Sequence, residues 1–264
     1  MFKDMIKWYP INFLYILLVL LTIITGCASR EKLLREIDQH YGFGSHYLEG
    51  GDFALAQEEF EKIKTIAPNN DRAYFGLGLT YYFQGKYGLA LRSYQKAIEI
   101  NPREPEYYNN MAAVLCKLGR WDDVIQYCKV ALDNPGYSTP GFAYYNMGCA
   151  YLNLGKPQDA VEFFKKSLIQ SPTYIEPRLQ LGKALFRLGD FQGAIKSLKE
   201  AKDLNTDSSS DSLSLGAEIE YFLGQSYLGL GDVSSAKNAF TSVIEGSPGS
   251  FWAEESLKFL QNMH

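Results

Sequence analysis

Few residues in this chain have the chemistry of a catalytic or metal-binding centre. The histidines are His40, His46 and His264, and their spacing matches neither a zinc site nor a Ser-His-Asp arrangement. The glycines recur at regular intervals and form no glycine-rich phosphate loop. His40 occupies a large aromatic position of a repeated pattern, which favours a packed side chain. The sequence therefore predicts a protein that is not an enzyme and that uses no cofactor or metal.

One polar segment resembles the opening of a calcium-binding loop through three alternating residues: Asp203, Asn205 and Asp207. Ser208 replaces the glycine that such a loop requires, and Ser214 replaces its bidentate glutamate. We therefore expect a solvated loop from Asp203 to Gly216 rather than a metal site.

The first residues have the pattern of an export signal. Lys3 and Lys7 precede the apolar run from Ile11 to Ile24, which is shorter than the roughly 20 residues of a membrane-spanning helix. The run ends in Ile-Thr-Gly before Cys27, and this ending resembles the bacterial lipobox. That resemblance implies a signal peptide over residues 1–26, lipidation of Cys27 and, because Ala28 follows, sorting to the outer membrane. An uncleaved anchor helix is the alternative.

The remainder of the chain repeats one pattern of about 34 residues, the tetratricopeptide (TPR) period. In Asp71–Glu104, a stripe of apolar and small residues at helical spacing leads to Gly85, and a second stripe ends at Pro102. Glycine can take the left-handed conformation that reverses a chain after a helix. Each unit is therefore predicted to be a helix pair, and pairs must stack to bury both stripes.

Two series of small residues set the repeat register. The first-helix series is Gly44, Gly78, Ala112, Gly148, Gly182 and Gly224, and the turn series is Gly51, Gly85, Gly119, Gly155, Gly189 and Gly231. The predicted fold is an all-α, right-handed superhelical solenoid of six TPR helix pairs with a C-terminal capping helix at 251–264. A lipidated cysteine and short linker occupy residues 27–36, and the repeats span 37–70, 71–104, 105–138, 141–174, 175–208 and 217–250.

Cysteines and prolines mark the middle of the array. After Cys27, the remaining cysteines are Cys116, Cys128 and Cys149, and an export compartment permits a disulfide. Cys116 and Cys149 fall on first helices of adjacent repeats, where a bridge or unpaired packing could occur; we favour unpaired packing. The two prolines and two glycines of Asp133–Gly141 predict an ordered turn.

The first helices of TPR stacks line a concave face, and the geometry of such stacks implies which positions contribute to it. In this sequence those positions form an aromatic and aliphatic groove: Tyr41, Leu48, Arg72, Phe75, Leu79, Tyr82, Phe83, Asn109, Cys116, Phe142, Tyr145, Leu152, Asn153, Leu179, Phe186, Arg187, Tyr221 and Leu228. An amphipathic helix or apolar peptide suits such a groove. Packing is the alternative role for these aromatic residues. One TPR subclass binds a C-terminal carboxylate through a ring of Lys, Arg and Asn. Such a clamp is disfavoured here, because Ser45, Leu79 and Ala113 occupy the ninth position of their repeats, where they are poor matches to that ring.

The lipobox, the six repeats and the Asp133–Gly141 turn together resemble the pilotin family of type IV pilus biogenesis lipoproteins. The likeness is carried by Asn109, Asn110, Cys116, Gly119, Arg120, Tyr137, Pro140, Asn146, Gly148 and Cys149. This resemblance implies a lipid-anchored protein of the outer membrane, facing the periplasm, that binds secretin subunits and promotes their localisation and multimerisation. The alternative is a TPR scaffold for another envelope complex, serving outer-membrane protein assembly or cell-wall hydrolases. A net charge of -4 gives no reason to expect nucleic acid as a partner.

Overall fold

The computed structural model describes residues 9–206 and 209–262, and the regular structure within these ranges is entirely helical. The predicted all-α class is therefore confirmed. The helices form two compact units, one ending at Pro102 and the other beginning at Arg103. In each unit every helix packs against the next along the chain, and the first helices of neighbouring pairs also contact one another.

Unit 1 consists of two helix pairs. Its helices are α1 (Tyr9–Glu49), α2 (Phe53–Ile66), α3 (Asp71–Phe83) and α4 (Tyr87–Ile100). Their buried side chains include Ile37, Phe60, Ile63 and Leu77, which form one core cluster. The apolar stripes predicted from the sequence therefore face one another in this unit.

Helix α1 continues without a break through residues 27–36, where the sequence analysis placed a short linker. Residues 29–36 are rich in Arg, Glu, Lys and Leu, which favour helix, and Glu31 pairs with Arg35 at 3.2 Å one turn later. The predicted lipidation site, Cys27, lies within this helix. None of the described helices is both long and apolar enough to cross a membrane.

Unit 2 contains four helix pairs and a closing helix. Its helices are α5 (Pro105–Lys117), α6 (Trp121–Leu132), α7 (Pro140–Asn153), α8 (Pro157–Gln170), α9 (Ile175–Arg187), α10 (Phe191–Leu204), α11 (Ser210–Gly229), α12 (Val233–Gly246) and α13 (Phe251–Asn262). Helix α13 covers the end of the unit through Trp252, Phe259 and Leu260.

The segment between α6 and α7 is an ordered turn, as predicted. The Asn134 side chain accepts a hydrogen bond from the Gly136 amide at 2.9 Å and donates one to the Arg103 carbonyl at 2.7 Å. Tyr137 is buried within the turn, and Pro140 begins α7. These contacts fix the connection between α6 and α7.

The predicted solvated loop from Asp203 to Gly216 is wrong at its C-terminal end. Helix α11 begins at Ser210, because the Ser209 hydroxyl caps the Ser212 amide and Leu215 packs against the core of unit 2. Asn205 bonds Ser212 rather than standing free for a cation. Asp207 and Ser208 lie outside the described residues.

The turn glycines have the conformation that their spacing predicts. The six glycines of the turn series have φ between 69° and 79°. The small first-helix residues allow close packing within each pair, since a Cβ on Gly78 would lie 2.4 Å from the Tyr94 ring. Where the third repeat has Ala112 instead of glycine, the register places the buried Cys128 at the position of Tyr94. A smaller partner compensates for the extra methyl group, so Cys128 serves packing.

Candidate partner-binding surface

The first-helix face of unit 1 combines aromatic rings with the exposed cation Arg72. The Arg72 guanidinium lies 4.0 Å from the centre of the Tyr41 ring and donates a 2.7 Å hydrogen bond to Asp38. The Arg72 and Asp38 side chains are 44% and 63% exposed. An ion pair this exposed contributes only about 0 to 1 kcal/mol, so a partner carboxylate could compete for the arginine.

The aromatic residues of this face are anchored from behind by second-helix rings. The ring centres of Tyr41 and Phe60 lie 5.6 Å apart, and those of Phe75 and Tyr94 lie 5.9 Å apart. Phe83 stacks on Phe53 at 6.1 Å and leaves 56% of its surface exposed. Such rings are held in place while part of each surface remains free to contact a partner.

In unit 2 several predicted groove residues lie in the core instead. Leu152, Leu179 and Tyr221 are 3%, 1% and 7% exposed. Tyr221 packs 4.9 Å from Trp252 of α13, and Leu152 belongs to a core cluster between helix pairs. Their assignment to an exposed groove is corrected, because the neighbouring helix covers each of them.

Asn109 is also a core residue rather than a groove residue. The Asn146 amide donates a 3.0 Å hydrogen bond to the Asn109 carbonyl oxygen, and both side chains are buried. This bond joins α5 to α7. A buried amide pair satisfies its own polar groups, so it contributes register and packing rather than partner contact.

Other predicted positions in unit 2 remain accessible. Phe142 is 42% exposed and contacts the Tyr174 ring at 5.1 Å. Arg187 is exposed but donates a 2.8 Å hydrogen bond to the Leu152 carbonyl, which links α9 to α7. Asn153 is exposed, whereas the remaining predicted positions are partly buried: Leu48, Leu79, Tyr82, Cys116, Tyr145, Phe186 and Leu228.

Sequence reasoning missed an ion pair on the first helices of unit 2. The Lys183 ammonium donates a 2.6 Å hydrogen bond to Glu218 and lies 5.1 Å from the Phe222 ring centre. Both charged side chains are about four-fifths buried, at 19% and 21% exposure. Lys183 is the ninth residue of the fifth repeat, the position that Ser45, Leu79 and Ala113 occupy in the first three repeats. Reading that position through all the repeats could therefore have identified this cation.

Several titratable groups of the described residues are paired or buried. His40 and Glu59 share a 2.6 Å hydrogen bond; burial alone would raise the Glu59 pKa, but bonds with Lys62 and His40 lower it. Burial raises the pKa of the Cys149 thiol to about 11, and Cys116, Cys128 and Cys149 are free. Among the described residues, no cluster of His, Cys, Asp and Glu could hold a metal ion.

Comparisons with known proteins agree with this geometry. Residues 80–119 match a model described as TPR repeat, and residues 142–174 and 175–208 match models described as tetratricopeptide repeat. Tetratricopeptide repeat protein 8 of Caenorhabditis elegans is 25% identical over 150 residues, which are 57% of this chain and 28% of that protein. The chain thus spans less than a third of that relative.

Solved structures resemble a larger part of the chain. The type IV pilus biogenesis factor PilW is similar with a TM-score of 0.73 and 23% identity, covering 84% of this chain and 98% of PilW. Pseudomonas aeruginosa PilF gives 0.71 and 21%, covering 86% and 99%. YrrB, a TPR protein with an unusual peptide-binding site, gives 0.57 and 19%, covering 77% and 100%. The chain therefore has a TPR solenoid fold, a scaffold through which proteins bind protein or peptide partners.

Proposed function

We propose that this chain is an outer-membrane lipoprotein adaptor that binds secretin subunits and promotes their outer-membrane localisation and multimerisation in type IV pilus biogenesis. The observation that carries the proposal is the likeness to almost the whole length of PilW, a type IV pilus biogenesis factor. The lipobox-like sequence ending at Cys27 supports a lipid anchor facing the periplasm.

The first-helix face of unit 1 is the surface we assign to the secretin. Phe83 and Tyr82 offer aromatic area that is already held by neighbouring rings, so little side-chain entropy is lost when a partner binds. Arg72 lies on the same helix and could donate hydrogen bonds to a partner carboxylate. A lipid anchor would confine the adaptor and its captured subunits to one surface, which raises their effective concentration for ring assembly.

The experiment is deletion of the gene followed by complementation, with the secretin multimer measured in unboiled outer-membrane fractions. We expect the heat-sensitive, detergent-resistant multimer to disappear while secretin monomer persists. The unaltered gene restores the multimer, whereas Cys27→Ala leaves the protein unlipidated and fails to restore it at the outer membrane.

A surface control separates binding from folding. The double variant Tyr82→Ala/Phe83→Ala should reduce the multimer, while Ile169→Ala, at a 74% exposed site on second helix α8, should not. A normal multimer in the deletion strain would contradict the proposal. Co-purification of barrel-assembly components or cell-wall hydrolases would then favour the scaffold of another envelope complex.

A further inference from the structure

Open clefts separate second helices that do not touch within the described parts of each unit. In unit 1 a cleft of about 210 Å³ lies between α2 and α4, lined by Glu61, Lys64, Tyr74, Leu77, Tyr81, Leu89, Arg92, Ser93 and Lys96. In unit 2 a cleft of about 300 Å³ lies between α10 and α12, lined by Lys199, Lys202, Glu220, Leu223, Tyr227, Ser235, Asn238, Ala239 and Ser242. The two sets occupy the same repeat positions, so the clefts can be compared residue by residue.

At three of these repeat positions, the second helices of the six repeats carry different types of side chain. In the unit 1 cleft, α4 contributes Leu89, Arg92 and Lys96, whereas α12 contributes the neutral Ser235, Asn238 and Ser242. The other repeats have Leu55, Glu58 and Lys62; Asp123, Gln126 and Val130; Asp159, Glu162 and Lys166; and Gly193, Lys196 and Glu200. Only the second repeat combines an apolar residue with two cations.

This pair of cations departs from the charge pairing at the same positions of α2 and α8. Lys62 pairs with Glu58 at 2.9 Å on α2, and Lys166 pairs with Glu162 at 2.6 Å on α8. On α4 the glutamate position is occupied by Arg92, which forms no hydrogen bond or ion pair with any residue that the structure describes. Lys96 bonds instead to Glu99 at 3.2 Å.

Like charges four residues apart destabilise a helix about as much as an opposite pair stabilises it. The helix therefore gives up a local stabilising pair at this site. Natural sequences break such local rules most often where a site has a function.

The rest of the cleft supplies apolar surface and little negative charge. Its one carboxylate, Glu61, is bonded to Lys64 at 2.7 Å, and this bond raises the Lys64 pKa. Burial, followed by the charge of Glu61, raises the Tyr81 pKa, so the phenol stays neutral at physiological pH. Leu77 forms the floor and Leu89 is 41% exposed at the rim.

We propose that the α2–α4 cleft binds an acidic peptide segment in which a carboxylate side chain neighbours an apolar one. The carboxylate would pair with Arg92 and Lys96, and the apolar side chain would contact Leu89 and Tyr81. A narrow cleft suits an extended chain that inserts individual side chains between α2 and α4, whereas a membrane surface would reach only its exposed rim at Leu89 and Arg92. This site lies between the second helices α2 and α4, with α3 at its floor, and it uses none of the residues assigned to the secretin. It does not rest on the proposed function.

The test uses the full-length chain purified in detergent and a short fluorescein-labelled peptide of alternating Glu and Leu. A peptide of Gln and Leu is the control for charge, and vesicles containing phosphatidylglycerol provide the competing anionic surface. We expect saturable binding of the acidic peptide only, weakened about tenfold by Arg92→Glu, because one partner of a charged contact is reversed. Asn238→Glu, at the same position of the unit 2 cleft, should leave the affinity unchanged.

Thermal stability distinguishes a binding role from a structural one. Arg92→Glu restores the Glu-to-Lys spacing seen on α2 and α8, so its unfolding midpoint should equal or exceed that of the unaltered chain. Arg92→Gln should also weaken peptide binding while the protein stays folded. The proposal is overturned if the acidic peptide does not bind, if Arg92→Glu binds it normally, or if Asn238→Glu weakens binding equally. Vesicle binding that depends on Arg92 without peptide binding would also overturn it, in favour of a lipid surface.

Discussion

The first-helix faces of the two units carry the same repeat positions but differ in what covers them. In unit 1, Phe83 is 56% exposed, and Tyr41 and Phe75 are partly buried. In unit 2, Leu179 and Tyr221 are 1% and 7% exposed. A repeat position therefore does not by itself assign a side chain to a groove or to a core.

The difference follows from the neighbouring helix in each case. Tyr221 packs between Phe240 and Trp252, at ring distances of 5.9 and 4.9 Å, because α13 closes the unit above α11. Phe83 lies at the end of α3, where Phe53 covers one of its faces. Tyr221 thus stabilises the fold of unit 2, whereas Phe83 leaves aromatic area in unit 1 for a partner.

The largest effect that this comparison predicts is on stability. Tyr221→Ala removes a buried ring and should lower the free energy of unfolding by about 3 to 5 kcal/mol. Phe83→Ala removes a ring that is 56% exposed and should cost less than about 1.5 kcal/mol. Urea denaturation followed by circular dichroism measures both variants. Equal losses would mean that the two faces do not differ in their contribution to packing.

A smaller effect concerns the thiols on the first helices of unit 2. Burial, together with the neighbouring Cys149, raises the pKa of Cys116 to about 12, and burial raises that of Cys149 to about 11, both from an ordinary value of 9.0. Because the folded thiols hold their protons more tightly, their contribution to stability is complete below pH 9.0 and is lost as pH rises toward 12.

Alkylation by iodoacetamide measures how accessible the Cys116 and Cys149 thiols are in the folded protein. At neutral pH the native thiols should react far more slowly than the same thiols in urea, since the thiolate is the reactive form. The thermal midpoint should fall more steeply above pH 9.0 than in a Cys116→Ala/Cys149→Ala variant. Rapid native alkylation would contradict the burial of Cys116 and Cys149 between the first helices of unit 2.

The helix pairs could be predicted because their signals are local. Gly85 and the other turn glycines require a left-handed backbone, and the Gly78 position must be small to fit Tyr94. The ordered turn around Asn134 and Tyr137 also followed from its proline and glycine content.

Which side chains of the first-helix faces are buried depends on contacts between residues that are distant in the sequence. Nothing near Asn109 in the sequence identifies Asn146 as its partner, and nothing near Tyr221 identifies Trp252 as its cover. The start of α11 was also missed, because serine-rich composition outweighed the helical spacing of Leu215 and Ile219. Spacing along one helix gives the direction of a side chain, and only the packed neighbours decide whether partners can reach it.

Site-specific photocrosslinking in cells tests most directly whether the unit 1 face binds the secretin. A benzoyl-phenylalanine crosslinker replaces Phe83 in one strain and Ile169, which is 74% exposed on α8, in the matched control. The account predicts a crosslink to the secretin subunit from position 83 and none from position 169. A secretin crosslink from position 169 with none from position 83 would contradict it and assign the contact to the second helices instead.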